Sequence, residues 1–471
     1  MTTYSLRMSG RQHAALLPHL FPGDGREAVA LALCGRRVGP DGVSLLVYKV
    51  VPVPHAACAV RERDRVTWPT DLLAQHLPDA AKRGLAVLKI HSHPGGFDRF
   101  SSFDDEADRE LFPSVFGWVD SDLPHGSAVM LPGGRVFGRA ALSDGTFVPF
   151  TRVLVAGDDL HFWDYGGPAA ADRGEALLRN RQLFGEGTMR HLRGLTVAVI
   201  GYSGTGSFVA EALARLGVGR LIIVEYDVVE EKNLNRILNS TSEDAAARRP
   251  KADVALRAIQ AMGLGTHVEV IRGNLINPDT IRRVAGCDVL FGCVDSVEAR
   301  HVMNKLAAFY LLPYFDLGVR LDADGRGGID QVCGSAHYLQ PGGSSLHSRG
   351  VYSMEEVRAE GLRRTDPAAY AGLVKEGYVR GVRVDRPAVV SVNMLIAALS
   401  VNDFLARLHP FRLDPNDEFA AQTMSLTQGE LIRMPDGGPC PMFSGKVGRG
   451  DVSPLLDTPE LSEGGKAPCA G

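Results

Sequence analysis

The stretch at residues 195–236, LTVAVIGYSGTGSFVAEALARLGVGRLIIVEYDVVEEKNLNR, decides the reading of this chain. Its first apolar, β-branched run, residues 196–200, is long enough for one buried strand. Gly201-Tyr-Ser203-Gly204-Thr-Gly206-Ser207 comes next, and residues 208–216 repeat apolar side chains at helical spacing. Leu221-Ile-Ile-Val224 reads as a second buried strand, closed by Glu225. The pattern is a βαβ unit with a glycine-rich first turn. Such a turn lets the backbone approach a phosphate, the helix N-terminus favours its charge, and an acid ending the second strand can bind ribose hydroxyls. Ser203 stands where the G-x-G-x-x-G fingerprint has its second glycine, so the loop alone fits any mononucleotide or dinucleotide.

The residues beyond the loop narrow the choice. Glu225-Tyr-Asp227-Val-Val-Glu-Glu-Lys-Asn233-Leu-Asn235-Arg236 resembles the D-x-D-x-V-x-x-x-N-L-x-R signature of the ThiF/MoeB/HesA and ubiquitin-activating superfamily. Arg-Arg-Pro-Lys251 is similar to its lysine motif, Cys293-Val-Asp295 to its C-T-D motif, and Arg179-Asn-Arg181-Gln182 to its R-Y-x-R-Q element. Four ordered matches over roughly 120 residues exceed what a chance look-alike supplies. The resemblance implies a Rossmann-like adenylating domain with Gly201, Ser203, Gly204 and Gly206 in the ATP loop. It implies Glu225 on the ribose, Asn233, Arg236 and Lys251 on phosphates, and Asp295 holding Mg²⁺. It also implies a homodimer in which Arg181 reaches the triphosphate of the other subunit's site. Asp227 reads as a cap of the loop it begins, and Glu230, Glu231 and Lys232 as solvated.

The rest of the chain must accommodate this domain. Its 471 residues suggest two or three domains, and its 23% charged and 45% apolar content is that of an ordinary globular protein. A net charge of −4 gives no electrostatic case for nucleic acid. No apolar run approaches the ~20 residues of a membrane helix, and no signal-peptide pattern opens the chain. Seven scattered cysteines form no disulfide framework, which points to the cytoplasm.

Ahead of the adenylating domain, residues 27–35, 43–52 and 85–90 read as buried strands, with a short helix near residues 11–20. The third strand runs into His91-Ser-His93-Pro94. Residues two apart on a strand share a face, so the two imidazoles point together. The chain continues to Ser101 and Asp104. Two imidazoles and a carboxylate suit zinc and leave its fourth tetrahedral position to a water acidified towards neutrality. A lone H-x-H is more often structural; proline, serine and aspartate at fixed offsets point to the metal. The stretch resembles the JAMM/JAB metalloprotease motif, H-x-H-P-x6-S-x-x-D. This implies His91, His93 and Asp104 as zinc ligands, Ser101 holding a tetrahedral intermediate, and Glu27, before the strand at 28–35, as the catalytic acid–base. Asp98, Asp105, Glu106 and Asp108 read as a solvated loop and helix start. Residues 128–132, 135–139 and 147–155 read as closing strands.

The fold expected is α/β: a JAMM/JAB mixed domain over 1–158, a linker over 159–174, a ThiF-like adenylating domain over 175–434 and a mobile tail over 435–471. Two departures from the relatives bear on mechanism. Where many carry four cysteines for a structural zinc, this chain has Ser345, Ser348 and Cys440-Pro-Met-Phe443, so a second zinc is not expected and His347 reads as an ordinary polar residue. No cysteine lies between residues 350 and 412, where ubiquitin-activating relatives form a thioester, and Cys293 and Cys333 read as packed. Direct transfer from the adenylate is therefore expected.

The whole resembles the bacterial JAB–activating-enzyme fusions of ubiquitin-like conjugation. That implies a two-headed enzyme: a zinc peptidase that trims or removes a ubiquitin-like protein, and an adenylase of its C-terminal glycine, partnered by a conjugating enzyme. Alternatives are a sulfur-carrier adenylase with a carrier-trimming protease, and a non-catalytic scaffold.

Overall fold

The computed structural model describes residues 2–166, 174–375 and 387–461. These form two compact units, the first comprising residues 2–166 together with Ala308–Leu311 and Gly445–Leu456.

The first unit is built on a nine-stranded sheet. Its strand order is Leu160–Asp164, Arg152–Ala156, Thr3–Ser9, Gly42–Pro52, Val29–Gly39, Ala86–Ser92, His125–Met130, Val136–Ala141 and Phe147–Pro149. Central strands buried on both faces carry apolar side chains on both faces over much of their length. Val29–Gly39 shows why: Ala30, Ala32 and Cys34 pack into one core with Leu6, Leu45 and Ile90, while Val29, Leu31 and Leu33 pack into a second with Phe112 and Val115. The helix Gly10–Leu20 starts from a Ser9/Gln12 capping box and covers the first face. The helix Ser102–Val119 covers the second.

Several expectations need correction. Thr3–Ser9 is a central strand, in keeping with its alternation of Tyr4, Leu6 and Met8. The strand expected to end at Gly35 runs on to Gly39. Gly35 is needed for close approach instead: a Cβ there would meet the carbonyl oxygen of Gly448 at 2.3 Å. The run at 147–155 breaks after Pro149 into two strands far apart in the sheet, with Phe150 buried in the core between them. Asp108 is fully buried rather than solvated.

The linker expected over 159–174 begins too early. Leu160–Asp164 pairs antiparallel with Arg152–Ala156, so Gly157-Asp-Asp159 is a hairpin turn. Residues 167–173 of that segment lie outside the described residues. The expected mobile tail is also corrected over 435–461. Asp451 N–H donates to Arg36 O at 2.7 Å, Gly35 N–H donates to Gly448 O at 3.1 Å, and Leu455, Leu456 and Leu461 are buried. Glycines that resemble loop punctuation fit the chain against a neighbouring strand.

The second unit carries an eight-stranded sheet in the order His267–Ile271, Arg220–Val224, Thr196–Ile200, Val289–Gly292, Tyr314–Ala323, Ile329–Leu339, Ala421–Ser425 and Glu430–Met434. The first five strands are parallel and the last three join antiparallel. Strand order reverses on either side of Thr196–Ile200. In open α/β sheets a ligand crevice forms at such a switch point, outside the carboxyl ends of the strands. Helix Gly204–Arg215 leaves this point and packs under helix Val390–Leu408, which also lies on Tyr314–Ala323 and Ile329–Leu339.

Val390–Leu408 corrects the expectation that no segment approaches membrane-spanning length: its 19 residues suffice by length and composition. It nevertheless buries Asp403 and Arg407, which pair at 3.2 Å. The first α-helix of the unit, Leu178–Gly194, carries Arg181 and breaks at Gly185, whose φ is 74°.

Candidate functional sites

In the first unit, the strand Ala86–Ser92 and the helix Ser102–Val119 bring His91, His93 and Asp104 together. His91 lies in the strand, with backbone neighbours Val29 and Val129. His93 lies just beyond it, its N–H donating to Met130 O at 3.0 Å. Asp104 sits in the first helical turn. Asp104 Oδ1 is 2.8 Å from His91 Nε2, Asp104 Oδ2 is 3.4 Å from His93 Nε2, and the two Nε2 atoms are 3.1 Å apart. All three residues offer a ligand atom within 4.8 Å of the others. His93 Nδ1 lies 2.7 Å from Phe97 O; donation to this carbonyl leaves Nε2 as the free lone pair. The donor set therefore fits zinc.

The electrostatics favour ligation at His91 and Asp104. Burial lowers the His91 pKa and so favours the neutral, ligating imidazole. Burial also works against the Asp104 carboxylate, but hydrogen bonds from His91 and His93 outweigh it and hold the pKa well below the usual carboxylate range. His93 is pushed up: burial opposes the shift, and the bonds to Asp104 and Phe97 prevail. Glu27 Oε1 stands 3.8 Å from His93 Nε2. Burial raises the Glu27 pKa to about 7, a value that suits a group taking and giving protons near neutrality.

Ser101 has a visible structural task. It caps the helix, accepting from Asp104 N–H at 3.2 Å and donating its hydroxyl to Asp104 Oδ2 at 2.7 Å. It thus orients the carboxylate that Asp104 offers to the cluster.

In the second unit a cleft of about 2240 Å³ opens at the switch point. Gly201, Ser203, Gly204, Glu225, Asn233, Arg236, Lys251 and Asp295 all line it. Gly201 needs its left-handed backbone, φ 90°. Gly206, one turn into the helix, lies against Gly201, where an added Cβ would meet Gly201 O at 1.9 Å. Ser203 has a negative φ of −126°, so a side chain is tolerated at the fingerprint's second position.

Glu225 holds the loop as well as facing the cleft. Its carboxylate accepts from Tyr202 N–H at 2.8 Å and from Tyr226 and Asp227 N–H at 2.9 Å each. Three of roughly four lone-pair positions are engaged this way. Lys251 is buried, and its Nζ donates to Asp227 Oδ2 at 2.9 Å, so Asp227 pairs with the lysine besides opening its loop. Asn233 accepts from Glu230 N–H, and Arg236 donates to Lys232 O at 2.7 Å. Asp295 is exposed in the cleft wall after strand Val289–Gly292.

Arg181 is not among the residues lining the cleft. It donates to Gly174 O at 2.7 Å and lies 3.7 Å from the Glu186 carboxylate. Of the two cysteines expected to be packed, Cys293 is buried, and burial pushes its thiol pKa up. Cys333 differs: it is half-buried and lines the cleft. Cys333, Gly334, Ser335 and His337 of its strand all line the cleft, a consequence of the antiparallel extension that periodicity does not reveal. Cleft residues that sequence reasoning missed include His337, Arg300 and Asn393, which come from three separate elements and carry no shared motif.

At the position of the relatives' cysteines, Ser345 Oγ donates to Cys440 Sγ at 3.1 Å, and Ser348 Oγ accepts from Ser345 N–H at 2.9 Å. A hydrogen-bonded serine–serine–cysteine cluster thus ties these two loops.

An open α/β sheet with a glycine loop, buried lysine and carboxylates gathered at its switch point defines the nucleotide-binding class of ThiF-like folds. The chain belongs to the ThiF family, which it matches over residues 177–418, just over half its length, and residues 11–137 match the prokaryotic homologs of the JAB domain. The ubiquitin-like modifier-activating enzyme 5 of Drosophila persimilis is 26% identical over 263 residues, covering 52% of this chain and 65% of the relative. The enzyme of the same description from Oryza sativa subsp. japonica is 32% identical over 162 residues, 32% of this chain and 36% of its own. The chain thus spans less than two thirds of these relatives. The crystal structure of E. coli MccB with ATP aligns at TM-score 0.44 and 18% identity, covering 58% of this chain and 74% of that one.

Proposed function

We propose that the chain is a two-headed enzyme of a ubiquitin-like conjugation system. Its second unit adenylates the C-terminal glycine of a ubiquitin-like protein with ATP and Mg²⁺. Its first unit is a zinc peptidase that trims or removes the same protein. The observation that carries the reading is the gathering of eight residues from four separate motifs on one cleft at the switch point.

The chemistry is built from the residues. Backbone N–H groups at the start of helix Gly204–Arg215 face a triphosphate and favour its charge. Lys251 and Arg236 neutralise charge that develops as the carrier's carboxylate displaces pyrophosphate at the α-phosphorus. To do so, Lys251 shares or leaves its bond to Asp227, while Glu225 keeps the loop in place. Asp295 supplies the carboxylate for Mg²⁺. The carrier's acyl group then passes directly from the adenylate to a nucleophilic residue of a conjugating partner, and AMP leaves.

In the first unit, His91, His93 and Asp104 would hold Zn²⁺, which supplies Lewis acidity and a nucleophile at neutral pH. Glu27 moves a proton from the nucleophile towards the leaving amine, a role that its raised pKa suits. Ser101 keeps the Asp104 carboxylate oriented.

The reading is tested by ATP–pyrophosphate exchange with a ubiquitin-like carrier ending in glycine. Exchange should depend on the carrier and fall at least a hundredfold in Asp295→Ala. Carrier-independent exchange, or an unaffected variant, would overturn it.

A further inference from the structure

The first unit contains a buried charge cluster that the proposed peptidase chemistry does not use. Asp108 is fully buried, and Lys89 and Arg139 beside it are nearly so. The Lys89 ammonium rests on Asp108 Oδ1, and Arg139 Nη2 donates to Asp108 Oδ2 at 2.6 Å. Arg139 is also stacked between aromatic faces, its guanidinium carbon 3.8 Å from the Phe100 ring centroid and 4.4 Å from that of Phe147. It bonds Asp105, and its Nη2 reaches Asp104 O at 3.5 Å. One guanidinium therefore touches the residue before Ser101 and three acidic residues of the helix that carries Asp104.

The spacing gives the cluster a purpose. Lys89 and His91 are two apart on one strand and share a face. Asp104 and Asp108 are four apart on one helix and share a face. Two strand residues advance about 6.6 Å and four helical residues about 6 Å. The pitches match, so Lys89–Asp108 and His91–Asp104 are successive rungs between the same strand and helix. The imidazoles differ in what else fixes them. His93 Nδ1 has its carbonyl partner, whereas buried His91 Nδ1 has no hydrogen-bond partner among the described residues. Metal-bound histidines are usually oriented through that second nitrogen. For His91, orientation falls to the register of strand and helix.

We propose that Asp108 is a positioning residue for the metal centre: through Lys89 and Arg139 it holds helix Ser102–Val119 in register with strand Ala86–Ser92, keeping Asp104 in reach of His91. The inference rests on the proposed metal site, with a divalent cation as the ligand.

The test uses the full chain and measures Co²⁺ affinity and its visible spectrum, with Zn²⁺ affinity by chelator competition. Lys89→Met keeps side-chain length and leaves Asp108 paired with Arg139, so the fold survives; Asp108→Asn removes the charge at constant shape. Both should weaken binding at least about tenfold, the range seen for residues that orient ligands, and alter the spectrum. Lys89→Arg, which keeps the charge, should stay closer to wild type. Should Asp108→Asn fail to fold, Lys89→Met decides alone. Wild-type affinity and spectrum in Lys89→Met would overturn the positioning role, as would equal losses in Lys89→Arg and Lys89→Met. A wild-type chain that binds neither Co²⁺ nor Zn²⁺ would instead overturn the metal site itself.

Discussion

Replacing Gly206 by alanine tests the packing beneath the nucleotide cleft. The added Cβ would stand 1.9 Å from Gly201 O, 2.9 Å from Gly201 C and 3.2 Å from Cys293 Cβ. Two of these atoms are backbone and cannot rotate away, so the helix must retreat from the loop by more than an ångström. Overpacking of this kind costs about 3 kcal/mol at the upper end of its usual range. Alanine recovers about 1 kcal/mol of helix propensity, leaving a net loss near 2 kcal/mol. For a domain of this size that lowers the melting temperature by roughly 4–8 °C. Gly372→Ala is the control: it also lies in a helix of the second unit, but nothing stands within 4 Å of its added Cβ. It should stabilise by about 0.5 kcal/mol. Calorimetry of the full chain should show the second unit's transition moving in opposite directions for the two variants. A Gly206→Ala transition within a degree of wild type would refute the close approach of helix to loop, and with it the geometry assigned to the phosphate-binding turn.

Two further expectations concern other groups. His125 accepts from Val87 N–H at 2.9 Å, and burial pushes its pKa down from 6.5 to about 3. A base depressed in the folded state contributes stability above its unfolded pKa. That contribution is lost as pH falls from about 6.5 to about 3, with a slope of up to about 1.4 kcal/mol per pH unit. His125→Asn keeps an acceptor without the titration and should flatten the acid limb of a urea-stability profile for the first unit; an unchanged slope would contradict this. Incubation with ATP and carrier, followed by acid quench, should yield no thiol-cleavable adduct on this chain. An adduct lost in Cys333→Ser would show that the cleft thiol accepts the acyl group.

Much of the second unit is legible in the sequence because its motifs sit on short, regular elements. The strand, glycine loop and closing acid of one βαβ unit fix where a phosphate meets a helix, and Asn233, Arg236, Lys251 and Asp295 arrive at the same cleft from fixed offsets. The His–His–Asp cluster is legible for a similar reason, since strand alternation and one helical turn place His91, His93 and Asp104 within reach of one another. Features that escape depend on partners remote in sequence. Gly35 reads as a turn because only the carbonyl of Gly448 requires its missing side chain. Asp108 looks solvated in a run of acids, and only Lys89 and Arg139, from two strands remote in sequence, make its burial tolerable. The segment at 445–456 is rich in glycine and polar residues, which describes a loose end as well as a strand-like strap. Arg181 contacts Gly174 and Glu186 rather than the cleft, and its proposed role depends on a second subunit.

The most direct test gives both heads one substrate: a ubiquitin-like carrier with a few residues added beyond its terminal glycine, incubated with the zinc-loaded chain, ATP and labelled pyrophosphate. The account predicts release of the extension and then carrier-dependent exchange. His93→Ala should block both steps on the extended carrier but permit exchange on a carrier that already ends in glycine, whereas Asp295→Ala should trim normally and fail to exchange. Exchange on the extended carrier by His93→Ala, or no exchange by the wild-type chain on the trimmed one, would contradict the two-headed reading.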